Sequence, residues 1–294
     1  MRRSIVVGLI AALCLSLFQF RTGKAAPADG FLGHFDIKPL AAEGLSAVWV
    51  SADGDRFIAI SDRSFAISGR LTRDSTGRIS GAALTGREQL AVQTKAGRQP
   101  IDSEGLAIDP KGEIFVSTEG PARVLQFASF AQAGVPIGKP RDFGKLPTNG
   151  ALEALAIGPD GTLFTVPETT RRDTGPFPLY ANTASAWRVV AQIPRFDDFL
   201  PVAADFGPDG QLYVLFRDFS FVGGFATRLV RYKINDQNLG PDQTLIETPF
   251  GLHGNLEGLS LWRNSKGMLT ATMISDDNGN FFQSAELVEY HLPD

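Results

Sequence analysis

Acidic residues recur at corresponding places along this chain, at the start and the end of a repeated pair of apolar runs. The acids that open the first run of each pair are Glu43, Glu104, Glu153 and Glu257. The acids that close the second run are Asp62, Glu119, Glu168 and Asp276. Carboxylates that converge with carbonyl oxygens and water bind hard cations such as Ca²⁺, and a chain with three histidines and one cysteine is a poorer fit to a softer metal. We therefore predict a calcium site built from these eight acids, and we expect Glu104, Glu153 and Glu257 to act in catalysis as well.

One copy of the pattern, residues 201–218, breaks the acidic rule. Val202 occupies the position of the first acid, and Arg217 stands where the related copies end in an acid. A guanidinium opposite a cation can hold a phosphate or carboxylate group through two parallel hydrogen bonds. An internal salt bridge to the surrounding acids is the alternative. His253, in the loop four residues before Glu257, is a further candidate for a general acid or base.

The repeated segments combine two short apolar runs with a turn between them. Residues 101–119 read IDSEGLAIDPKGEIFVSTE, and residues 151–168 read ALEALAIGPDGTLFTVPE. Proline and glycine in the middle of each copy favour a tight turn, so each copy is predicted to be a β-hairpin. Successive copies begin 61, 49, 49 and 55 residues apart. Repeats of this length, made of strands and turns, indicate the four-stranded blades of a β-propeller.

Large and small apolar residues alternate in the first run of each copy, which is typical of a strand buried on both faces. Such strands fit the interior of a propeller. The strand patterns at residues 31–40 and 286–291 have no complete unit of their own, and we expect them to share one blade and close the ring. The predicted fold is an all-β propeller of about five blades, with six as the alternative.

A propeller would bring the repeated acids together. The first strand of each blade lines the central channel, and the hairpin returns the second strand to the same end. The two acids of each copy should therefore lie near one mouth of the channel. In the alternative interpretation, these acids accept hydrogen bonds from backbone N–H groups of the next blade and only lock the ring.

The first 28 residues have the features of a secretory signal peptide: Arg2 and Arg3, then an apolar run, then small residues before Asp29. We expect residues 29–294 to form a single domain that works in the periplasm or outside the cell, free of the membrane and as a monomer. Loss of residues 1–28 would remove four basic residues and no acid, and would change the net charge from −4 to −8. An acidic chain without a basic tract is a poor binder of nucleic acid.

Short motifs resemble those of a known family. Glu-Gly-Leu begins the copies at Glu43, Glu104 and Glu257, Glu-Ala-Leu begins the copy at Glu153, and Ser-Asp-Asp-Asn occupies residues 275–278. In these motifs, over residues 31–291, the chain resembles the phytase-like family called "esterase-like activity of phytase". The resemblance implies a secreted bacterial propeller whose recurring acids form a phosphoesterase-type site. The departure at residues 201–218, and the lack of a lysine-rich phosphate cluster, argue against phytate itself as the substrate.

Two functions are consistent with these observations. The first is a Ca²⁺-dependent hydrolase of phosphoesters or related esters, with a small anionic substrate, a glutamate as base and Arg217 steadying the anion. A lactonase or another carboxylic ester hydrolase is the variant of this hypothesis. The second is a non-catalytic periplasmic propeller that binds a ligand or a partner protein.

Overall fold

Each repeated pair of apolar runs forms the two innermost strands of a four-stranded antiparallel sheet. The computed structural model describes residues 28–37, 43–138, 143, 146–168, 174–183, 186–235, 238–277 and 285–294. Within these residues the strands make five such sheets, named blades 1 to 5 below, and one additional hairpin. This part of the chain contains no α-helix, and accordingly no helix with the length and apolar character needed to cross a membrane. The predicted signal peptide lies outside the described residues except for Ala28.

The strands are numbered in chain order, and β1 (Phe31–Asp36) belongs to the last blade. Blade 1 contains β2 (Leu45–Val50), β3 (Arg56–Ser61), β4 (Phe65–Arg73) and β5 (Ile79–Gln89). The additional hairpin contains β6 (Ala91–Thr94) and β7 (Gly97–Pro100). Blade 2 contains β8 (Ser103–Ile108), β9 (Ile114–Thr118), β10 (Arg123–Phe127) and β11 (Val135–Pro136). Blade 3 contains β12 (Ala154–Ile157), β13 (Leu163–Val166), β14 (Phe177–Thr183) and β15 (Ala186–Ile193). Blade 4 contains β16 (Leu200–Phe206), β17 (Leu212–Ser220), β18 (Gly224–Asn235) and β19 (Asn238–Glu247). Blade 5 contains β20 (Asn255–Arg263), β21 (Leu269–Asp276) and β22 (Glu286–His291), together with β1.

The first strands of the blades surround a common axis. Each of β2, β8, β12, β16 and β20 contacts the next, and β20 contacts β2, which closes the ring. β1 pairs antiparallel with β22, with Phe35 opposite Leu287, so the first strand of the chain completes the last blade. The predicted all-β propeller and the shared terminal blade are confirmed, and the described residues make five blades rather than six. Residues 38–40 of the predicted first strand lie outside the described residues.

The hydrophobic core is divided among the seams between blades. One cluster of buried apolar residues lies at each of the five seams, and strand β21 is buried along its whole length. Phe177 of blade 3 and Phe216 of blade 4, for example, belong to the same cluster and are fully buried. Burial on both faces explains why the inner strands alternate residues by size instead of by polarity.

Tight turns join the two inner strands, as the proline and glycine pattern predicts. In blade 3 the N–H of Gly161 donates to the carbonyl oxygen of Gly158 at 2.9 Å, and Gly161 has φ of 84°. Blade 4 repeats this turn with Gly210, at φ of 74°. Only glycine adopts this left-handed conformation without strain, which explains its place in each copy.

The seam between blades 1 and 5, where the ring closes, carries a buried ion pair. Arg73 of β4 forms two hydrogen bonds with Glu289 of β22, at 2.8 and 2.9 Å. The guanidinium also lies 4.5 Å from the centre of the Trp262 ring, and Thr272 donates to the Glu289 carboxylate at 2.7 Å. A bidentate pair with this support fixes the two terminal blades relative to each other.

Candidate functional site

The inner strands enclose a narrow cavity near one mouth of the channel. Its volume is about 10 Å³, which is roughly the room needed for one water molecule. The lining includes one residue at a corresponding place in each blade: Ser46, Glu104, Glu153, Val202 and Glu257. The structure thus brings together the three glutamates that the sequence predicts to be catalytic.

Irregular strand pairing positions two of these side chains. In blade 5 the register between the inner strands shifts between Leu256 and Gly258, which leaves Glu257 as an extra residue. In blade 2 the register shifts between Ser103 and Leu106, around Glu104. A β-bulge changes the direction of the extra residue's side chain. The repeat pattern alone does not contain this information.

Three acids of blade 2 form a group that could hold a metal ion. One carboxylate oxygen each from Asp102, Glu104 and Glu119 lies within 4.8 Å of the others. The backbone N–H of Glu119 donates to the carbonyl oxygen of Asp102 at 3.0 Å, which ties the two strand ends together. The sequence prediction included Glu104 and Glu119 and missed Asp102. The available signal was its position two residues before Glu104, on the same side of an extended chain.

Glu119 also has the structural role that the alternative interpretation assigns to these acids. Its Oε1 accepts a hydrogen bond from the N–H of Ala151 at 2.8 Å and another from the N–H of Gly150. Both donors lie at the entrance to blade 3. One oxygen of Glu119 therefore locks two blades together at the mouth.

Burial and like charge act together on the central glutamates. Burial raises the pKa of Glu104 well above its ordinary value, and the carboxylates of Asp102, Glu119 and Glu257 raise it further. The pKa of Glu153 is also raised well above its ordinary value, first by burial and then by Glu104 and Glu168. The strongest influences on both groups are unfavourable to the charged form.

Arg217 of β17 provides a positive charge among these acids. Its guanidinium forms an ion pair with Glu168 at 2.6 Å and a second with Glu257, and it also donates to Asn255. Burial lowers the pKa of Arg217, but Glu257, Glu168 and Glu153 outweigh that effect and raise it. The internal salt bridge considered for Arg217 is therefore present and links blades 3, 4 and 5.

Glu257 is held by two neighbours. Asn255 donates to its Oε1 at 2.8 Å, and Arg217 donates to the same oxygen. Burial raises the pKa of Glu257 to about 7, although Arg217 lowers it. A carboxyl group with a pKa near neutrality can both accept and return a proton under physiological conditions.

Three further acids lie near this group. Asp62 acts electrostatically on Glu104, and burial raises the pKa of Asp62 itself. Asp276 is buried, pairs in register with Asn255 and raises the pKa of Glu257. Asp277, which the sequence prediction did not include, is buried and acts on Asp62. The acidic group therefore extends across the mouth from blade 5 to blade 2.

The Glu-Gly-Leu motif predicts that Glu43 faces the cavity, but in the structure it does not. Its side chain is 56% exposed and forms a surface ion pair with Arg63. The corresponding position in blade 1 is occupied by Ser46. The register of β2, shifted between Leu45 and Ala47, places the serine at the axis and leaves the glutamate outside.

His253 lies apart from these acids. Its Nε2 is 2.6 Å from the hydroxyl of Tyr290, and its ring packs against Phe31. Burial lowers its pKa to about 4, so the ring is neutral at physiological pH. The proposed acid or base instead contributes to the packing of blade 5, because the loop that carries it folds back over β22 and β1.

A larger pocket opens at the mouth, with Arg217 and Asn255 in its lining. It has a volume of about 580 Å³, within the range of small-molecule sites. Strands of blades 4 and 5 form it. Arg217 and Asn255, which donate hydrogen bonds to Glu257, also line this pocket. The narrow channel cavity cannot admit an organic substrate, whereas this pocket can.

Comparison with known proteins identifies the family. A family model named Phytase-like, with the description "esterase-like activity of phytase", matches residues 41–279. The chain belongs to this family. The resemblance in the repeated motifs is confirmed, and the match covers blades 1 to 4 and the two inner strands of blade 5. No curated protein gave a significant match.

Solved structures similar to this phytase-like protein have low sequence identity to it. The α-L-arabinofuranosidase PaAbf62A from Podospora anserina is 13% identical, covers 92% of this chain and 95% of its own, and has a TM-score of 0.49. A luciferin-regenerating enzyme is 11% identical, with coverage of 88% and 95% and a TM-score of 0.48. Virginiamycin B lyase from Staphylococcus aureus is 13% identical, with coverage of 90% and 75% and a TM-score of 0.41. At these values the similarity carries no inference about activity.

Proposed function

We propose that this phytase-like protein is a metal-dependent hydrolase of phosphoesters or related esters, with Ca²⁺ as the cation. The observation that carries the proposal is the excess of buried acid at the channel mouth. Arg217 is engaged by Glu168 and Glu257, while the groups that act most strongly on Glu104 are themselves acids. Buried like charges repel each other unless they bind protons or a cation. A bound divalent cation would relieve this repulsion at neutral pH.

The donor atoms of blade 2 fit a hard cation. Asp102, Glu104 and Glu119 offer only oxygen, and they can supply up to about five ligand atoms when Asp102 and Glu104 bind through both oxygens and Glu119 through one. Glu119 uses one oxygen to hold the backbone of blade 3, but an ionised carboxylate has a second oxygen that can accept. The structural and the metal-binding roles of Glu119 are therefore compatible.

When bound, a divalent cation polarises an ester oxygen and lowers the pKa of a coordinated water molecule. The chain's own groups would orient the substrate and move protons. Glu257, held by Asn255 and Arg217, would take a proton from the attacking water. The guanidinium of Arg217, at the boundary with the larger pocket, would stabilise negative charge on the ester group.

A second candidate function is a non-catalytic propeller that binds a ligand. The bonds of Glu119 to blade 3 and of Arg217 to Glu168 and Glu257 favour it, because acids that lock blades need no reaction. For either function we propose that the protein is a monomer, and that it acts after export on the basis of the basic and apolar leader.

The test is hydrolysis of chromogenic phosphomonoesters, phosphodiesters and carboxylic esters, first with Ca²⁺, then with a chelator, then with Ca²⁺ restored. We expect turnover that the chelator abolishes and Ca²⁺ restores. Glu104→Gln should lower kcat/KM by at least about 10- to 100-fold, the loss seen even for residues that only support a metal ligand. Glu88→Gln, an exposed acid on β5, is the matched control and should leave the rate unchanged.

The melting temperature provides a second readout. A cation at 100 times its dissociation constant stabilises the folded state by about 2.7 kcal/mol, which corresponds to a rise of roughly 5 to 10 °C. Glu104→Gln should remove most of this rise. No turnover of any ester class, together with a melting temperature indifferent to Ca²⁺, would overturn the proposal in favour of the binding propeller.

A further inference from the structure

The larger pocket at the mouth has an aromatic wall. Phe219 at the end of β17 pairs with Phe225 of β18, and their ring centres are 5.0 Å apart. Both line the pocket, as does Leu200 at the start of β16. Phe219 remains 58% exposed in spite of this packing. An aromatic surface left open beside a polar site is typical of ligand-binding grooves.

This aromatic wall lies next to Arg217 and Asn255. The guanidinium carbon of Arg217 lies 5.8 Å from the centre of the Phe225 ring. Asn255, the partner of Arg217, lines the same pocket. An ester group held at Arg217 and Asn255 would therefore place its next substituent against Phe225 and Phe219. A flat apolar substituent would cover both rings.

The charges around the pocket disfavour a substrate with many negative charges. Asp198 and Asp218 line it together with Arg217. The charge of Arg217 is already offset by ion pairs with Glu168 and Glu257. A polyanion such as an inositol polyphosphate would face acids at the rim and find no unengaged cation among the residues that line this pocket, whereas a neutral or singly charged ester would not be repelled strongly.

We propose that this pocket selects esters of low charge that carry an aromatic substituent, and that Phe219 and Phe225 are the specificity-determining residues. The proposal rests on the hydrolase function proposed above, since it assigns a substrate class to the same mouth. The aromatic pair supplies the binding energy for the substituent, and Arg217 with Asn255 fixes the ester group beside the acids.

The binding test uses two unreactive ligands, phenylphosphonate and methylphosphonate, titrated into the Ca²⁺-loaded protein by calorimetry. We expect phenylphosphonate to bind about tenfold more tightly, the effect of one good aromatic contact. Phe219→Ala should remove this preference and leave methylphosphonate binding unchanged. The matched control is Phe221→Ala, on the same hairpin and 95% exposed but outside the pocket lining, which should alter neither ligand.

The turnover test compares bis(4-nitrophenyl) phosphate with methyl 4-nitrophenyl phosphate, which share a leaving group and differ only in the retained substituent. We expect a roughly tenfold higher kcat/KM for the aryl diester, lost in Phe219→Ala. Inositol hexakisphosphate should not compete. Equal rates for both diesters, or an unchanged preference in Phe219→Ala, would overturn the specificity proposal and leave the hydrolase function standing. Phe219-dependent binding of phenylphosphonate without turnover of any ester would support the aromatic site and overturn the hydrolase function.

Discussion

Replacement of Arg217 by methionine tests the electrostatic account of the mouth. Methionine keeps much of the buried stem of the side chain and removes the charge that pairs with Glu168 and Glu257. The two carboxylates then face each other and the remaining acids without a cation. We expect a large loss of stability in metal-free protein, and a loss that depends on pH.

The magnitude follows from burial. The side chains of Arg217, Glu168 and Glu257 are 18%, 10% and 18% exposed, so this is a largely buried network. Removing one partner of such a network costs about 3 to 5 kcal/mol, or roughly 10 °C in the melting temperature of a domain of this size. Arg217 lowers the pKa of Glu257, so in the variant that pKa rises above about 7 and the carboxyl is protonated over a wider range.

The direction of the pH effect is fixed by that shift. A carboxyl whose folded-state pKa is raised contributes stability below its unfolded value of 4.5, and this contribution is lost as the pH rises through the folded value. The penalty of Arg217→Met should therefore be smaller at pH 5, where Glu257 is neutral, than at pH 8. The assay is thermal unfolding followed by circular dichroism in the presence of a chelator.

A double variant provides the control. Arg217→Met combined with Glu257→Gln removes the unpaired charge together with its partner, and should recover part of the lost stability at pH 8. The reasoning would be refuted by a variant that melts within about 2 °C of the parent protein at pH 8, where the expected loss is several-fold larger. A double variant that is less stable than the single one would refute it as well.

Two further predictions concern stability away from the acids of blade 2. Burial raises the pKa of Asp205 from 3.8 to about 7, so the contribution of Asp205 to stability is lost as the pH rises between these values. In urea unfolding, Asp205→Asn should therefore reduce the pH dependence of the free energy of unfolding by up to about 1.4 kcal/mol per pH unit. Parallel plots of unfolding free energy against pH for the variant and the parent protein would contradict this. At the ring closure, Glu289→Gln should lose about 3 to 5 kcal/mol because it breaks the buried pair with Arg73. Glu247→Gln, whose pair with Arg228 is half exposed on the glutamate side, should lose at most about 1 kcal/mol, and equal losses would contradict the assignment.

The architecture could be predicted from the sequence because each blade repeats the same local sequence pattern. Glycine and proline at the turns, strands with one large and one small face, and the spacing between copies all indicate one unit. The incomplete units at the two ends even indicate how the ring closes. Each of these signals acts within one blade or between neighbours, where a sequence pattern is informative.

The details of the site depended on features without a local signal. The equivalence of Glu43 with Glu104 looked secure from the shared Glu-Gly-Leu, but the bulge in β2 brings Ser46 to the axis instead. Asp102 joins the candidate metal-binding group through its position beside Glu119, which follows the neighbouring strand β9. His253 contacts Tyr290 and does not join the acids of the mouth. Register and tertiary packing decide these placements, and neither is written in the motif itself.

Blades 1 and 4 show that a blade can form without a glutamate at the channel position. Val202 and Ser46 occupy the channel position that glutamates hold in the other blades, and both blades still form complete four-stranded sheets. A carboxylate at this position is therefore unnecessary for building a blade. It is also unfavourable to the charged form, because burial and the neighbouring carboxylates raise the pKa of Glu104 and Glu153 well above the ordinary range. A buried carboxylate that the blade does not need is therefore a candidate ligand for the proposed cation.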